Sequence, residues 1–457
     1  MRLDTHPTVL KVRATRNARA KTPESVHRDK TGAIDAAWLR TVCLEAGADD
    51  VGFVSIDRPE LTGQVLEITT RFPRTKTLIS IVARMNRDAV RASTRSVANH
   101  EFHEAYDTVN DAARHVARRL EDLGLRAVNA VAAFPMEAQN FPGKSWFISH
   151  KPIAEAAGLG KMGLHRNVIH PVFGNFIVLD TIMIEDRVSE ESKPLDYNPC
   201  IECKLCVAAC PVEAIGPDGS FNFSACYTHN YRDFLGGFQD WSEELAASTS
   251  KEEFRARIEP GETVSLWQSL SFKPSYKAAY CVSVCPAGEN VIEPYLEDRI
   301  AFADEHLKPL QASKENVYVL EGSDAEVLVP SRFPSKTTRR VRWTIDATEI
   351  FSFLFNLTLT FQRRKAGHLN LTCHLHLTGA APLDATLKIT QRRLEIEFGK
   401  KGEADISVTT APETWMSAFE KNFDLETALA DEHIVLDGTK ELLQQFFACF
   451  PVYGDIS

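Results

Sequence analysis

From Asp35 onward the apolar positions of this chain fall into two alternating rhythms, and each rhythm predicts an element. DAAWLRTVCLEAGADD, residues 35–50, repeats apolar side chains every three or four positions and predicts an amphipathic helix. VGFVSI at 51–56 predicts a strand, and TKTLISIVARM at 75–85, apolar on both sides, predicts a buried one. The stretch 101–124 returns to helical spacing and stops at Gly124. LRAVNAVAAF at 125–134 is strand-like, and the loop PMEAQNFPGKSW after it is long enough to suspect a function. A short helix, HKPIAEAAGLG, follows, then strands around VIHP and FGNFIVLDTIMIE. Helices alternating with buried strands predict an α/β core over residues 35–194.

Beyond the core the rhythm changes twice. Residues 227–280 form an insertion rich in aromatics and charge that reads as mostly helical and as a cover for the neighbouring segment. Residues 301–344, ending in VPSRFPSKTTRRVRW, read as a linker of Pro, Ser and basic residues without periodicity. From 345 to 457, HLNLTCHLHL, ATLKITQ, RLEIEF and ADISVTT alternate apolar and polar positions as half-buried antiparallel strands do. APETWMSAFEKNF, DLETALA and TKELLQQFFACF predict helices packed on one face, so this end is an α+β module.

The segment after residue 195 carries the chemistry. Cys200, Cys203, Cys206 and Cys210 stand in NPCIECKLCVAACPVEAI, with Pro211 after the last. C-x2-C-x2-C-x3-C-P is the bacterial ferredoxin spacing for [4Fe–4S] clusters, and the fourth cysteine of such a run ligates the other cluster. A structural zinc site is the competing reading, but zinc sites pair two separated Cys-x2-Cys knuckles. A partial second run follows: Cys226, then Cys281, Cys285 and Pro286 in AAYCVSVCPAG. One cluster would take Cys200, Cys203, Cys206 and Cys285; the other would take Cys210, Cys226 and Cys281. Three residues before Cys281, where a fourth ligand belongs, stands Ala278. The second centre is therefore [3Fe–4S], or a [4Fe–4S] cubane with one iron bound by water or by a side chain such as Tyr276 or His229. Cys43, Cys373 and Cys449 lie in apolar surroundings and read as core residues.

Composition narrows the picture. The chain has 457 residues, enough for two or three domains, and a net charge of −10, which argues against a nucleic-acid partner held by bulk charge. Residues 1–34 are locally basic and aperiodic and read as a disordered tail without a signal peptide. No window reaches the length of a membrane span, and cysteines in cluster spacing fit a reducing cytoplasm. Gly158, Gly160 and Gly163 match G-x-G-x-x-G, but a dinucleotide site needs a strand before the motif and a helix after it. Here the order is reversed, so these glycines would let the backbone pass close to a neighbouring strand or to a cofactor.

KPIAEAAGLGKMGLHRNVIHPVFGNFIVLDTIMIE, residues 151–185, resembles the core of epoxyqueuosine reductase and of the reductive dehalogenases, and the likeness extends over roughly 35–295. The step from Cys210 to Cys226 also resembles epoxyqueuosine reductase. The resemblance implies a nitroreductase-like α/β core that holds a base-off cobalamin beside a double-cluster ferredoxin segment; a flavin is the alternative core cofactor. Lys144 falls where epoxyqueuosine reductase carries its catalytic aspartate. The dehalogenases use a tyrosine beside a basic residue, and Tyr106 with Lys144 or His150 would fill those parts. A cation beside a phenol stabilises the phenolate left after proton donation. Residues 345–457 resemble the sterol carrier protein 2 family. That implies a cavity for lipids or other apolar molecules lined by residues such as Trp415, Phe419, Phe423, Leu429, Phe446 and Phe447, with core packing or a dimerisation surface as the plainer roles.

These readings converge on an iron–sulfur reductase. An external ferredoxin, flavodoxin or reductase would supply electrons through two clusters to a cobalamin or a small apolar substrate, and the last module would retain that substrate. A non-catalytic electron carrier and a redox-sensing lipid-binding protein are the alternatives.

Overall fold

The computed structural model describes residues 5–19, 25–132, 148–234, 236–342, 349–379 and 381–451. Four strands make the core sheet: β1 (Asp50–Ser55), β2 (Thr77–Arg84), β3 (Ala127–Asn129) and β4 (Ile177–Ile184), in the order β1-β2-β4-β3. Every pairing is antiparallel, so the core keeps the expected alternation of helix and strand without the parallel sheet of a doubly wound fold. Side-chain alternation on these strands creates two cores. Ile79, Ile81 and Ala83 of β2 join Val178, Ile182 and Ile184 of β4 against one layer. Leu78, Val82, Ile177 and Met183 face the other.

The first layer is dominated by the helix Arg95–Asp122, longer than its pattern predicted, whose Ala98, Phe102, Ala105, Val109, Ala112, Val116 and Leu120 form the buried stripe. Beside it lies the helix Ala36–Glu45, started by the Asp35 carboxylate, which accepts from the Trp38 amide. The other layer holds the helix His150–Ala156. Within the described part of the strand expected over 125–134, Ala127–Asn129 is extended and Ala130 donates to Thr181 O at 3.0 Å; residues 133–147, including Lys144, lie outside the described residues.

The expected disordered tail is partly built. Pro7–Arg19 is helical, and Ile34 is fully buried, bridged to Arg28 and Val188. The expected linker is also corrected. Within 301–344, strand β5 (Asn316–Leu320), the helix Asp324–Arg332 and strand β6 (Thr337–Val341) form a parallel β-α-β unit. Val317, Val319, Ala325 and Val329 pack in one core with Cys206, Cys210 and Tyr280. The basic composition misled because those charges are paired: Arg339 with Glu259, Arg340 with Glu326, and Arg342 with Glu244.

The insertion is helical as expected, with helices Gly236–Ala247, Lys251–Arg257 and Pro260–Phe272. Its Tyr231 and Phe234, with Tyr276 just after those helices, pack against the first core layer.

The final module has five strands, β7 (Leu371–Leu377), β8 (Leu383–Thr390), β9 (Arg393–Phe398), β10 (Ile406–Thr410) and β11 (Ile434–Asp437), in the order β9-β8-β7-β10-β11. Only β7 and β10 pair in parallel. Helices Pro412–Ser417, Leu425–Ala430 and Lys440–Phe447 accompany the last two strands. Trp415 and Phe446 are fully buried, and Phe419 meets Trp415, Phe446 and Phe450 edge to face, filling the interior. The module is tied to the cysteine segment at the turn after Cys210, where Arg363 meets Asp218 and Arg364 meets Glu213.

Candidate functional site

The first cysteine run is a loop that winds through left-handed backbone. Glu202 (φ 50°) and Lys204 (φ 62°) adopt a conformation that costs a non-glycine residue roughly 1–2 kcal/mol each. The strain turns the chain so that Cys200, Cys203 and Cys206 face one side, and the helix Leu205–Ala209 then carries Cys210 away from them. Cys200, Cys203, Cys206 and Cys285 together line one pocket, with Leu164 and His165 on its wall. Among the described residues no three His, Cys, Asp or Glu side chains converge on a single metal ion; these thiols surround a space instead.

Electrostatics sorts the remaining cysteines. Burial pushes the Cys285 thiol up to about 12, and Cys203, Cys200 and Cys281 add to the rise. Cys281 is likewise pushed up to about 12 by burial and then by Cys210, while Lys151 opposes the rise. Burial raises Cys226, and Cys210 and Cys281 raise it further. Cys210, Cys226 and Cys281 therefore form a second group adjoining the first. Cys210 Sγ also accepts from the Ala214 amide at 3.2 Å, the kind of contact that stabilises a thiolate. Metal binding at either group must displace thiol protons, which makes assembly pH-dependent.

Around the second group, Tyr106, Cys226, Tyr231 and Cys281 are partly buried, and Lys151 is exposed. Lys151 donates to Arg166 O at 2.7 Å and to Asn167 Oδ1 at 3.1 Å, and burial lowers its pKa while Cys281 and Cys226 hold it up. Burial raises Tyr106, which hydrogen-bonds Tyr276.

His150 cannot supply the cation expected beside Tyr106. Its Nε2 lies 3.0 Å from Val131 O, which only accepts, so Nε2 carries the proton and Nδ1 accepts from Thr181 Oγ1 at 2.9 Å. Burial pushes His150 down to about 4, leaving it neutral. Of the ligands suggested to replace Ala278, His229 receives the Tyr318 amide on Nδ1 and feels Lys277 and Lys336, with no cysteine among the charges acting on it. Tyr276 interacts with Tyr106 and Tyr231.

The glycine turn is packed against its own chain. A Cβ on Gly158 would meet Lys193 O at 2.3 Å, and one on Gly160 would meet Ile169 O at 2.4 Å; Gly158 also has φ +74°. A Cβ on Gly163 would strike the Ile169 side chain. The room these glycines create is taken by protein, with helix before and strand after, as the motif's order predicted.

Sequence reasoning passed over three residues: Lys151, Tyr231 and Asp180. The signal for Asp180 was a lone carboxylate inside the apolar run FIVLDTIMI. Asp180 is fully buried on β4; Oδ1 accepts from the Thr181 amide at 2.6 Å, and among the described residues Oδ2 has no partner. Burial pushes its carboxyl up to about 8. The folded protein thus keeps a proton that the unfolded chain gives up above about pH 4. Stability should fall as pH rises from 4 to 8, by up to about 1.4 kcal/mol per unit, and level off above that. Asp180→Asn should remove this component of the slope in urea titrations across that range. An unchanged slope would mean that the proton is held elsewhere.

The comparisons with known proteins agree with this arrangement. Residues 193–216 match the family model described as 4Fe-4S binding domain, and residues 361–451 match the SCP-2 sterol transfer family. The chain is similar to epoxyqueuosine reductase of Synechococcus sp. (strain CC9605), 28% identical over 116 residues, covering 25% of this chain and 31% of the relative. It is similar to that of Staphylococcus aureus (strain NCTC 8325 / PS 47), 32% identical over 79 residues, covering 17% and 20%. The matched stretch therefore spans about a third or less of the length of these relatives. Among solved structures, a reductive dehalogenase overlays at a TM-score of 0.38 with 14% identity, covering 65% of this chain and 39% of the other. Epoxyqueuosine reductase from Streptococcus thermophilus overlays at 0.33 with 17% identity, covering 59% and 74%. Overlays this loose carry no weight for function. Among the described residues no helix is long and apolar enough to cross a membrane.

Proposed function

We propose that the protein is an iron–sulfur reductase that passes single electrons through two clusters to a substrate or cofactor in the core. Cys200, Cys203, Cys206 and Cys285 hold the cluster that receives electrons from an external donor. Cys200 and Cys203 are partly exposed, and Ile201 between them is 42% exposed, offering a docking edge. Cys210, Cys226 and Cys281 hold the second cluster, a [4Fe–4S] or [3Fe–4S] centre, deeper in the protein. The observation that carries this reading is the pocket lined by Cys200, Cys203, Cys206 and Cys285, which come from runs far apart in sequence, with Cys210, Cys226 and Cys281 packed nearby.

Around the second thiol group the chain's own residues set the conditions for reduction. Lys151, held by Arg166 O and Asn167 Oδ1, places a positive charge beside the second thiol group, which favours the arrival of an electron there. Tyr106, with its hydroxyl on Tyr276, is a phenol available to give up a proton. The glycine turn offers no cradle for a corrinoid, so the side chains that would face one in a nitroreductase-like core are Tyr106, Lys151 and Tyr231. A corrinoid there would supply a cobalt centre able to exchange single electrons with the clusters. The SCP-2-like module is assigned to retain an apolar substrate or lipid, which requires the packing of Trp415, Phe419 and Phe446 to open.

The test is spectroscopic. Protein purified without oxygen should contain iron and acid-labile sulfide, show a broad visible absorption that dithionite bleaches, and change its spectrum on addition of cobalamin. An unchanged spectrum with cobalamin would leave direct reduction of the substrate. Zinc in place of iron would end the proposal.

A further inference from the structure

Arginines stand at every fourth position, Arg87, Arg91 and Arg95, where the helix Arg87–Arg91 leads into the helix Arg95–Asp122. Each reaches across to the second cysteine run. Arg95 donates through Nη2 to Ala278 O at 3.1 Å and through Nη1 to Ser283 Oγ at 3.2 Å, so its guanidinium straddles Cys281. Arg91 donates through Nε to Ser283 O and through Nη2 to Cys285 O, each at 3.3 Å, and so spans the step to Cys285. Arg87 donates to Asn290 O, beyond both thiols. Neutral groups hold the same segment as well. The Ala278 amide donates to Asn230 Oδ1 at 3.0 Å, the Lys277 amide to Asn230 O at 3.1 Å, and Ser283 Oγ to Val90 O at 2.8 Å.

Neutral donors suffice to anchor a backbone, so the use of two cations asks for a further reason. Arg91 lies over the rings of Phe176 and Phe302, 5.1 Å from each centre, and Arg95 lies over Tyr280 at 5.1 Å. Tyr280 is buried and Ser283 fully so. Among the described residues neither guanidinium forms an ion pair with a carboxylate. Asp88 and Glu305 line the same surface cleft as Arg91 but stand exposed to water. Glu315, which accepts from the Tyr280 hydroxyl at 2.6 Å, is neutralised by Lys336 at 2.6 Å. A cation drawn out of water without a paired anion is costly. A thiolate-held cluster is an anion, and reduction adds to its negative charge. These two cations are fixed on the very run that supplies Cys281 and Cys285.

We propose that Arg91 and Arg95 are positioning residues that set the reduction potentials of the two clusters. Their charges, locked to the backbone on either side of Cys281 and Cys285, stabilise the reduced states, Arg91 chiefly that of the first cluster and Arg95 chiefly that of the second. This rests on the iron–sulfur reading above and extends it to the control of electron flow. One electron enters each cluster on reduction, from the external donor or, in the experiment, from dithionite. No bond to either arginine forms or breaks.

The experiment is a potentiometric titration of the full-length protein, purified without oxygen and followed by electron paramagnetic resonance, with iron and sulfide analysis of every variant. Arg91→Met should make the first cluster harder to reduce. At a fixed potential its ratio of reduced to oxidised form should fall at least tenfold, a midpoint shift of about 59 mV for one electron. Arg95→Met should do the same to the second cluster. Arg91→Lys and Arg95→Lys keep the charge but cannot span two acceptors as a planar fork does. They should hold the midpoints within about threefold of the unaltered ratio. Arg87→Met, which removes a cation anchored beyond the thiols, should leave both midpoints in place. Iron content reports that a variant has folded, and where a Met variant loses its clusters, the other Met variant and the two Lys variants carry the test. Unshifted midpoints in iron-replete Met variants, Lys variants that shift as far as Met variants, or an equal shift from Arg87→Met would overturn the assignment. Absence of iron from the unaltered protein would instead remove the reductase reading on which it stands.

Discussion

A chain carrying Cys285→Ala, purified without oxygen, should lose the cluster on Cys200, Cys203 and Cys206 and hold about half the iron and acid-labile sulfide of the unaltered protein. Cys285 belongs by sequence to the second run, four residues after Cys281, yet it lines the pocket of the first. Were each run to serve its own cluster, the substitution would strip the deeper centre instead. The two outcomes separate cleanly in paramagnetic resonance, because only the centre near the surface should exchange electrons readily with an external donor. Cys281→Ala is the matched control and should spare the first cluster. The loss should be large rather than graded. The Glu202 and Lys204 turns are strained, and losing the fourth thiolate removes one of the metal bonds that would offset that strain. Loss of the deeper cluster from the Cys285 variant would reverse the pairing.

How much of this could be read from the chain depends on whether the signal was local. The first cysteine run is a single loop, so its spacing announced its chemistry. The spacing rule also led to the expectation that Cys285 sits with the first run, and in the fold it lines the same pocket. The core strands and the long helix were legible through apolar rhythm, since burial on both faces of β2 leaves almost no polar positions. Partner choice was not: rhythm does not distinguish antiparallel from parallel neighbours, and among the described residues β3 covers only Ala127–Asn129. The β-α-β unit at 316–341 was hidden because β6 reads TTRRV, basic and largely solvent-facing, and because Pro330 sits inside its helix. Its stability comes from neighbours, namely the apolar face shared with the cysteine segment and the acidic partners of Arg339, Arg340 and Arg342. The clamp of Asn230 on residues 277 and 278 was invisible for a related reason: it is a contact across the whole insertion.

That insertion is held by one buried charge, and removing it should have the largest effect on stability of any single change in the segment. The Arg232 guanidinium, 3% exposed, donates to Asp240 Oδ2 at 2.5 Å and to Glu262 Oε1 at 3.0 and 2.8 Å, and lies over the Tyr318 ring of β5 at 4.9 Å. One cation therefore joins two insertion helices to the β-α-β unit. Its two carboxylate partners hold the guanidinium charged, well above the usual arginine range. Arg232→Met fills most of the volume but leaves two carboxylates buried without a partner, which should cost about 3–5 kcal/mol. A segment of this size should then melt roughly 10 °C lower. The sign of the pH dependence is a second check. Burial already raises the Asp240 carboxyl, and Arg232 is the main force opposing that rise. Without the arginine, Asp240 should bind its proton more tightly in the folded state than in the unfolded chain, so acid should recover part of the lost stability and alkali should not. Replacing Asp240 and Glu262 by Leu and Met in the same chain should restore most of the melting temperature at neutral pH, because a packed apolar trio avoids the cost of burying charge. A variant Arg232→Met that melts within a degree of the unaltered protein would show that the carboxylates reach water, and that the insertion is held by its aromatic contacts alone.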